Sequence, residues 1–367
     1  MGFRVISDST LPILAAPIGF ALSAPATWFM RRWAIRLDFT DKPGGHKGHA
    51  APIALGGGVG VTAAIVLPII LVSIFACAFA STPPSWIPDS AAPHLAGIAA
   101  KTPGALAICA GAVTLCIMGL WDDRRPLGPG IKFLIQGAVA TLLVLFCNLR
   151  LLSHLGEPIS IILSILWIVT LTNSLNFLDN MDGLAAGVAA IAAAVFAITS
   201  MLGGQIFVPA CCWLLVGSLL GFLPFNFYPA RIYMGDAGST VVGMLLGVFT
   251  IMTTFVAPAH GDRPLAVFSP IVVMAVPLYD TLSVFLIRWR LSVPLWRGDR
   301  RHFSHRLVKR GMSVPRAVMV IWLATAVTAM PALLLPKAGW AEAWGILIHT
   351  ALVVCLVALL ESTGEHA

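Results

Sequence analysis

The stretch PISIILSILWIVTLTNSLNFLDNMDGLAAGVAAIAAAVFAITSMLG, residues 158–203, holds two long apolar runs joined by a turn rich in amides and carboxylates. Each run is about as long as the roughly 20 residues a helix needs to cross a bilayer, where only helices and closed barrels satisfy their own backbone hydrogen bonds. Spans are therefore expected near 158–176 and 183–203. Between them Asn173, Asn176, Asp179 and Asp182 recur every three residues. Steps of about 300° cannot keep four positions on one face of a continuous helix. The helix is expected to break near Phe177 to Met181, with Gly183 opening the next one and the polar groups converging on a corner at the membrane edge.

The same pattern continues in both directions along the chain. Further spans are expected near 9–30, 55–80, 103–120, 131–150, 206–226, 238–257, 265–287, 316–336 and 342–360, which makes eleven. Hydrophobic residues form 58% of the 367, charged residues only 11%, and mean hydropathy is +0.91. A soluble domain would carry about a quarter charged residues, so the fold class is all-α, a polytopic transmembrane bundle built as a single domain over 1–367. The seven cysteines lie in or beside apolar runs without a C-x-x-C pair and read as small core hydrophobes. The first apolar run is long enough to span and lacks an A-x-A site, so it is expected to stay as the first helix.

Charge sets the expected orientation. Eighteen of the 23 lysines and arginines, Lys132 among them, fall in or beside the loops after odd-numbered spans. The positive-inside bias then places those loops and the C-terminus in the cytoplasm and the N-terminus on the opposite side, which in a bacterial inner membrane is the periplasm. A basic face of this kind, with a net charge of +7, favours anionic lipid headgroups and phosphorylated substrates; no nucleic-acid partner is expected.

Five polar clusters share that side: DKPGGHKGH (41–49), WDDRRPLG (121–128), NSLNFLDNMDG (173–183), MGDAGST (234–240) and GDRRHFSHRL (298–307). Asp122 and Asp123 follow an apolar helix directly, and desolvating adjacent carboxylates requires a compensating cation or donor. Magnesium suits them, being oxygen-seeking and commonly shared between one or two carboxylates and substrate phosphates; a solvated helix end paired with Arg124 or Arg125 is the plain alternative. Asp236 precedes an apolar helix whose first free amides, with Ser239, make a ready anion site, and an ordinary N-cap is the alternative there. Upstream, Asn226 and Tyr233 offer an amide and an aromatic face for a base or sugar, or else simple packing. His302 and His305 stand among Arg300, Arg301, Arg306 and Lys309, donors suited to pyrophosphate oxygens, a solvated basic loop being the alternative. The first cluster adds Asp41, His46, Lys47 and His49 ahead of Gly56, Gly57 and Gly58; Lys47 favours contact with a phosphate or lipid headgroup, and a plain basic interfacial loop is the alternative.

Taken in order, DKPGGHKGH, WDDRRPLG, NSLNFLDNMDGLAAG (173–187), NFYPARIYMGDAGS (226–239) and DRRHFSHRL (299–307) resemble the motifs of the polyprenyl-phosphate N-acetylhexosamine-1-phosphate transferases (glycosyltransferase family 4). The resemblance covers about residues 38–310 and is nearest to the undecaprenyl-phosphate N-acetylglucosamine-1-phosphate transferase branch. It implies Asp236 as principal magnesium ligand, manganese being the alternative ion, with Asn176 as a further contact. It also implies that Asp122 and Asp123 deprotonate the lipid phosphate or organise the metal. By the same resemblance Asp179 and Asp182 belong to the element linked to the nucleobase, and Tyr233 to uracil stacking. Arg301, His302 and His305 match the diphosphate motif, Lys47 and His49 the first cytoplasmic motif, and Asn173 and Ser239 lie within substrate-binding motifs. Two positions depart from the family pattern: Asn180 stands where glycine is common, and Ser304 replaces the middle histidine of H-x-H-H.

The expected partners are thus a UDP-N-acetylhexosamine, undecaprenyl phosphate and membrane lipids, with a homodimer as an open assembly. The expected chemistry is transfer of a sugar-1-phosphate with release of UMP. UDP-GlcNAc is the expected donor, UDP-GalNAc or a deoxy-amino sugar the nearest alternative. A cation-coupled transporter is the alternative of another class, and it predicts acidic residues near the bilayer midplane.

Overall fold

A computed structural model describes residues 10–42, 51–87, 92–253, 264–294 and 301–362. Lys47 and His49 lie outside the described residues. The chain is a helical bundle: α1 Ala15–Arg36, α2 Gly57–Phe79, α3 Ala92–Arg124, α4 Pro129–Phe146, α5 Glu157–Leu178, α6 Leu184–Leu202, α7 Phe207–Asn226, α8 Asp236–Met252, α9 Ser269–Val273, α10 Ala275–Arg290, α11 Phe303–Lys309, α12 Val314–Ala329 and α13 Trp340–Ser362. The β-structure among the described residues is one short antiparallel pair, β1 Thr40–Asp41 with β2 Ile53–Ala54.

Nine helices among the described residues are long and apolar enough to cross a bilayer, and the chain is a multi-pass membrane protein. Leu265–Val273 and α10 add a tenth crossing if they are counted as one, although the chain bends by 71° between them. The span expected near 265–287 is therefore present as a bent pair, and the bend has a local cause. Pro277 has no N–H to give the Val273 carbonyl, so the ladder breaks where α9 meets α10. Every expected span has a helical counterpart here, but α8 has only 17 residues, about 25 Å of rise against a hydrocarbon core of roughly 30 Å. In contrast α3 is longer than expected, because Lys101 and Pro103 lie inside the helix and do not end it.

The short α8 lies inside the bundle, packed against α2, α3, α5 and α6, and every residue from Ala237 to Thr250 is buried. Small residues make this possible. A Cβ on Gly243 would meet the Leu171 carbonyl of α5 at 2.6 Å, and one on Gly247 would lie 3.0 Å from Ile168 Cα. Association of helices in lipid depends on such close packing, since the tails are as apolar as the helices themselves.

All the polar clusters within the described residues fall at one end of the bundle, where α1, α3, α5 and α7 finish and α2, α4, α6 and α8 begin. The expected break occurs there: α5 stops at Leu178 and Gly183, at φ +77°, opens α6. The loop before α8 is laced to the same end, since Tyr233 N–H donates to the Ala54 carbonyl (2.9 Å) and Gly57 N–H to the Tyr233 carbonyl (2.9 Å).

Candidate active site

Two glycines allow the site to form. A Cβ on Gly119 of α3 would lie 2.2 Å from Ala237 N, and one on Gly58 of α2 would lie 2.1 Å from Gly238 N. Three backbones therefore touch at the first turn of α8. Asp123, four residues beyond Gly119, accepts from Asp236 N–H (3.0 Å) and Ala237 N–H (3.4 Å), so it caps α8 from a neighbouring helix. Asn176 donates to Asp236 Oδ1 (2.8 Å) and to Ser239 Oγ (2.9 Å). These contacts bring together Asp122, Asp123, Asn176, Asp236 and Ser239 from segments that are far apart in sequence.

Lys132 lies at the centre of this group. Its ammonium is 2.8 Å from Asp122 Oδ2 and 2.7 Å from Asp236 Oδ2, and it bridges the two carboxylates. Sequence reading counted Lys132 only as one basic charge. Its signal was position: a lone cation in the first turn of an apolar helix opposes the helix dipole and requires a specific anionic partner.

Asp179 joins the acidic group to the nearby loop. Burial, and after it the negative charges of Asp236 and Asp123, hold the Asp179 carboxyl well above the usual carboxylate range, partly offset by a hydrogen bond to the Gly235 backbone. Burial also pushes the Tyr233 phenol up, with smaller contributions from Asp182, Asp41 and Asp179. Beside this loop lies a cavity of about 710 Å³ whose lining includes Arg31, Asn180, Asp182, Arg231, Tyr233 and His305. That volume lies within the range of about 300–1,000 Å³ usual for small-molecule sites.

The other expected site residues are placed differently. Asn173 donates to Gln136 Oε1 (2.7 Å) and to the Val169 carbonyl. Asn226, expected to offer its amide to a base or sugar, is 2% exposed and spends both ends on backbone, accepting from Gly183 N–H (3.0 Å) and donating to the Ile232 carbonyl (3.0 Å). It braces the turn between α5 and α6 against the loop before α8. Asp182 accepts from Ala230 N–H (2.9 Å) while lining the cavity. His302 pairs through Nδ1 with Asp280 (2.8 Å), which also accepts from Phe303 N–H (2.7 Å). Arg301 immediately precedes this pair, and the His302 ring lies 6.2 Å from that of Phe177, next to Asn176. Asp280 was hidden inside an apolar run, yet a lone carboxylate in such a run is a signal that it has a partner.

The donor set fits a hard divalent cation. Four aspartates, 122, 123, 179 and 236, share the neighbourhood with one lysine, and the Lys132 ammonium shows that a cation is held between Asp122 and Asp236. Among the described residues no three carboxylate, imidazole or thiolate groups already surround one point. Magnesium takes one or two carboxylates and leaves its other positions to water and substrate phosphate, so Asp122 and Asp236 are the pair that would hold it. Asp122, Asp123, Asp179 and Asp236 stand at helix ends, and Asp280 within α10 is paired with His302, which disfavours the transporter alternative.

A polytopic bundle with a lysine-bridged carboxylate pair beside a cavity of small-molecule size is an arrangement suited to a membrane phosphotransferase. Comparison with known proteins agrees: the sequence profile of glycosyl transferase family 4 matches residues 105–254, the segment from α3 to α8 that holds the acidic group. A probable undecaprenyl-phosphate N-acetylglucosaminyl 1-phosphate transferase of Bacillus subtilis is 31% identical over 270 residues, 70% of this chain and 73% of that one. The decaprenyl-phosphate N-acetylglucosaminephosphotransferase of Mycolicibacterium smegmatis is 33% identical over 290 residues, 71% of each chain. The undecaprenyl-phosphate alpha-N-acetylglucosaminyl 1-phosphate transferase of Escherichia coli K12 is 25% identical over 336 residues, 88% of this chain and 83% of that one. The chain belongs to glycosyl transferase family 4, the polyprenyl-phosphate N-acetylhexosamine-1-phosphate transferases.

Proposed function

We propose that this chain, acting as one integral membrane domain, transfers N-acetylglucosamine-1-phosphate from UDP-GlcNAc to undecaprenyl phosphate. UMP is released, and the product starts a lipid-linked glycan of the cell envelope. The observation that carries this reading is one cation position bridging Asp122 and Asp236, with Asp123 capping the turn that presents Asp236, beside the cavity lined by Asp182, Tyr233 and His305. The names of the relatives supply the polyprenyl phosphate and the amino sugar.

Asp236 and Asp122 would hold magnesium, with Asn176 steadying Asp236. When bound, that ion supplies charge neutralisation for the diphosphate and the departing UMP. Asp123 fixes the start of α8 and with it the position of Asp236. Tyr233 offers a stacking face for uracil within reach of Asp182 and Asp179. Arg301, His302 and His305 meet the diphosphate oxygens as charge develops on the transferred phosphoryl group. A lipid phosphate oxygen attacks the phosphorus that carries the sugar, and the bond to the UMP oxygen breaks. The sequence bias, with eighteen of the 23 lysines and arginines in or beside the loops after odd-numbered spans, supports a cytoplasmic site in a bacterial inner membrane.

The test incubates purified protein with undecaprenyl phosphate and a panel of UDP-sugars, with and without magnesium. Lipid-linked GlcNAc diphosphate and one UMP per turnover are expected, both dependent on lipid and metal. Absence of UMP with every donor would overturn the reading. Labelling of loop positions from the periplasmic side should miss the carboxylate end.

A further inference from the structure

The two positions at which this chain departs from the family pattern touch each other. Ser304 Oγ donates to Asn180 Oδ1 across 124 residues of sequence. The amide nitrogen of Asn180 in turn donates to the Phe177 carbonyl at 2.6 Å. One side chain thus ties the last turn of α5, which carries Asn176, to α11, which carries His305 and follows His302 directly.

Helix α11 needs such ties. At seven residues it is far below the length at which a helix holds itself together. Asp280 secures its start through His302 Nδ1 and Phe303 N–H, and Glu361 of α13 holds its far side through Arg306 (2.8 and 3.0 Å). Those ties run to α10 and α13. The bond from Ser304 runs to the acidic turn itself, and it is enclosed, Ser304 being 1% exposed. A glycine at 180 would leave this buried hydroxyl without its acceptor, at the desolvation cost of an unmade hydrogen bond. A histidine at 304 would enter the volume that Asn180 fills. Each departure is thus costly alone and is relieved by the other.

We infer that Asn180 and Ser304 are a matched positioning pair. They dock the histidine-bearing helix onto the turn of Asp179 and Asp182, in place of the glycine and third histidine usual in the family. The role of that docking rests on the reaction proposed above. The diphosphate of the nucleotide sugar is then met by His302 and His305 without a histidine between them.

The test is a double-substitution cycle with the intact protein: Asn180→Gly, Ser304→His and both together. Each single change should lower kcat/KM for UDP-GlcNAc by about tenfold or more, with KM for undecaprenyl phosphate kept within about twofold. The combined variant should return to within about threefold of the parent. If its loss equals the product of the two single losses, the pair is not matched and the inference falls. A second cycle with Asn180→Ala and Ser304→Ala reads melting temperature. Either change should lower it, and the pair together should lower it no further than the worse single variant; additive losses would overturn the inference. Were the parent to release no UMP with any donor, the reaction would be wrong, while the melting cycle would still decide the pairing.

Discussion

Helix α3 passes through two different environments. At Gly119 it presses against the backbone of α8 so closely that an added Cβ would lie 2.2 Å from Ala237 N, whereas at Gly97 nothing stands within 4 Å of the same added atom. Gly119 lies one turn from the carboxylate group. Gly97 lines a cavity of about 360 Å³ near the other end of the bundle, walled by side chains such as Pro68, Ile69, Val72, Phe207 and Leu214. Backbone contact at one end fixes donors and acceptors within tenths of an ångström, which a charged site requires. Loose packing at the other end leaves an apolar gap that demands no particular geometry.

Gly119→Ala should break this contrast most severely. Backbone cannot retreat as a flexible side chain can, so the variant should lose about 3 kcal/mol or more of stability, read as poor folded yield and a lowered melting temperature. Next comes Asp236→Ala, expected to lower UMP release by about 10²–10³ while the protein still folds; full activity at ordinary magnesium would refute its role. Asp280→Asn keeps the shape but weakens the hold on His302, and a loss of about 10- to 100-fold in kcat should follow.

Asp179→Asn sharpens the comparison from the side of stability. Because the carboxyl of Asp179 is raised in the fold, its contribution is complete below the ordinary carboxylate range and is lost as pH rises through its raised value. Metal-free Asp179→Asn should therefore melt about 2–4 °C higher than the parent at pH 8, with no gain near pH 4, and should bind donor less well. An equal or lower melting point at pH 8 would contradict the electrostatic assignment. Gly97→Ala, at the loose end, should change stability by less than about 0.5 kcal/mol and leave turnover intact.

The corner between α5 and α6 was legible because four polar residues at three-residue spacing cannot share one helical face. The acidic character of the α8 start was legible from MGDAGST for a similar local reason. Lys132 and Asp280 were not, since each is a single charge inside an apolar run; Lys132 has one partner 10 and another 104 residues away, and Asp280 has its partner 22 residues away. Asn226 was read as a recognition group because an amide beside an aromatic loop resembles one; only the fold shows both its ends occupied by backbone. The bend before α10 was missed because Pro277 lies within a run whose hydropathy alone suggests continuity. Asn180 and Ser304 each stood out as a departure from the family pattern, but 124 residues of sequence separate them and only the fold shows that they touch.

Because α8 is enclosed on all sides by other helices, the depth of Asp236 is set by protein and not by lipid. Peripheral helices such as α1 and α13 expose large apolar faces and meet a thicker or thinner bilayer directly, by tilting or by deforming the lipid around them. The catalytic end would then keep its shape as the host membrane changes composition, and KM for the water-soluble donor should stay constant in vesicles of short and long acyl chains.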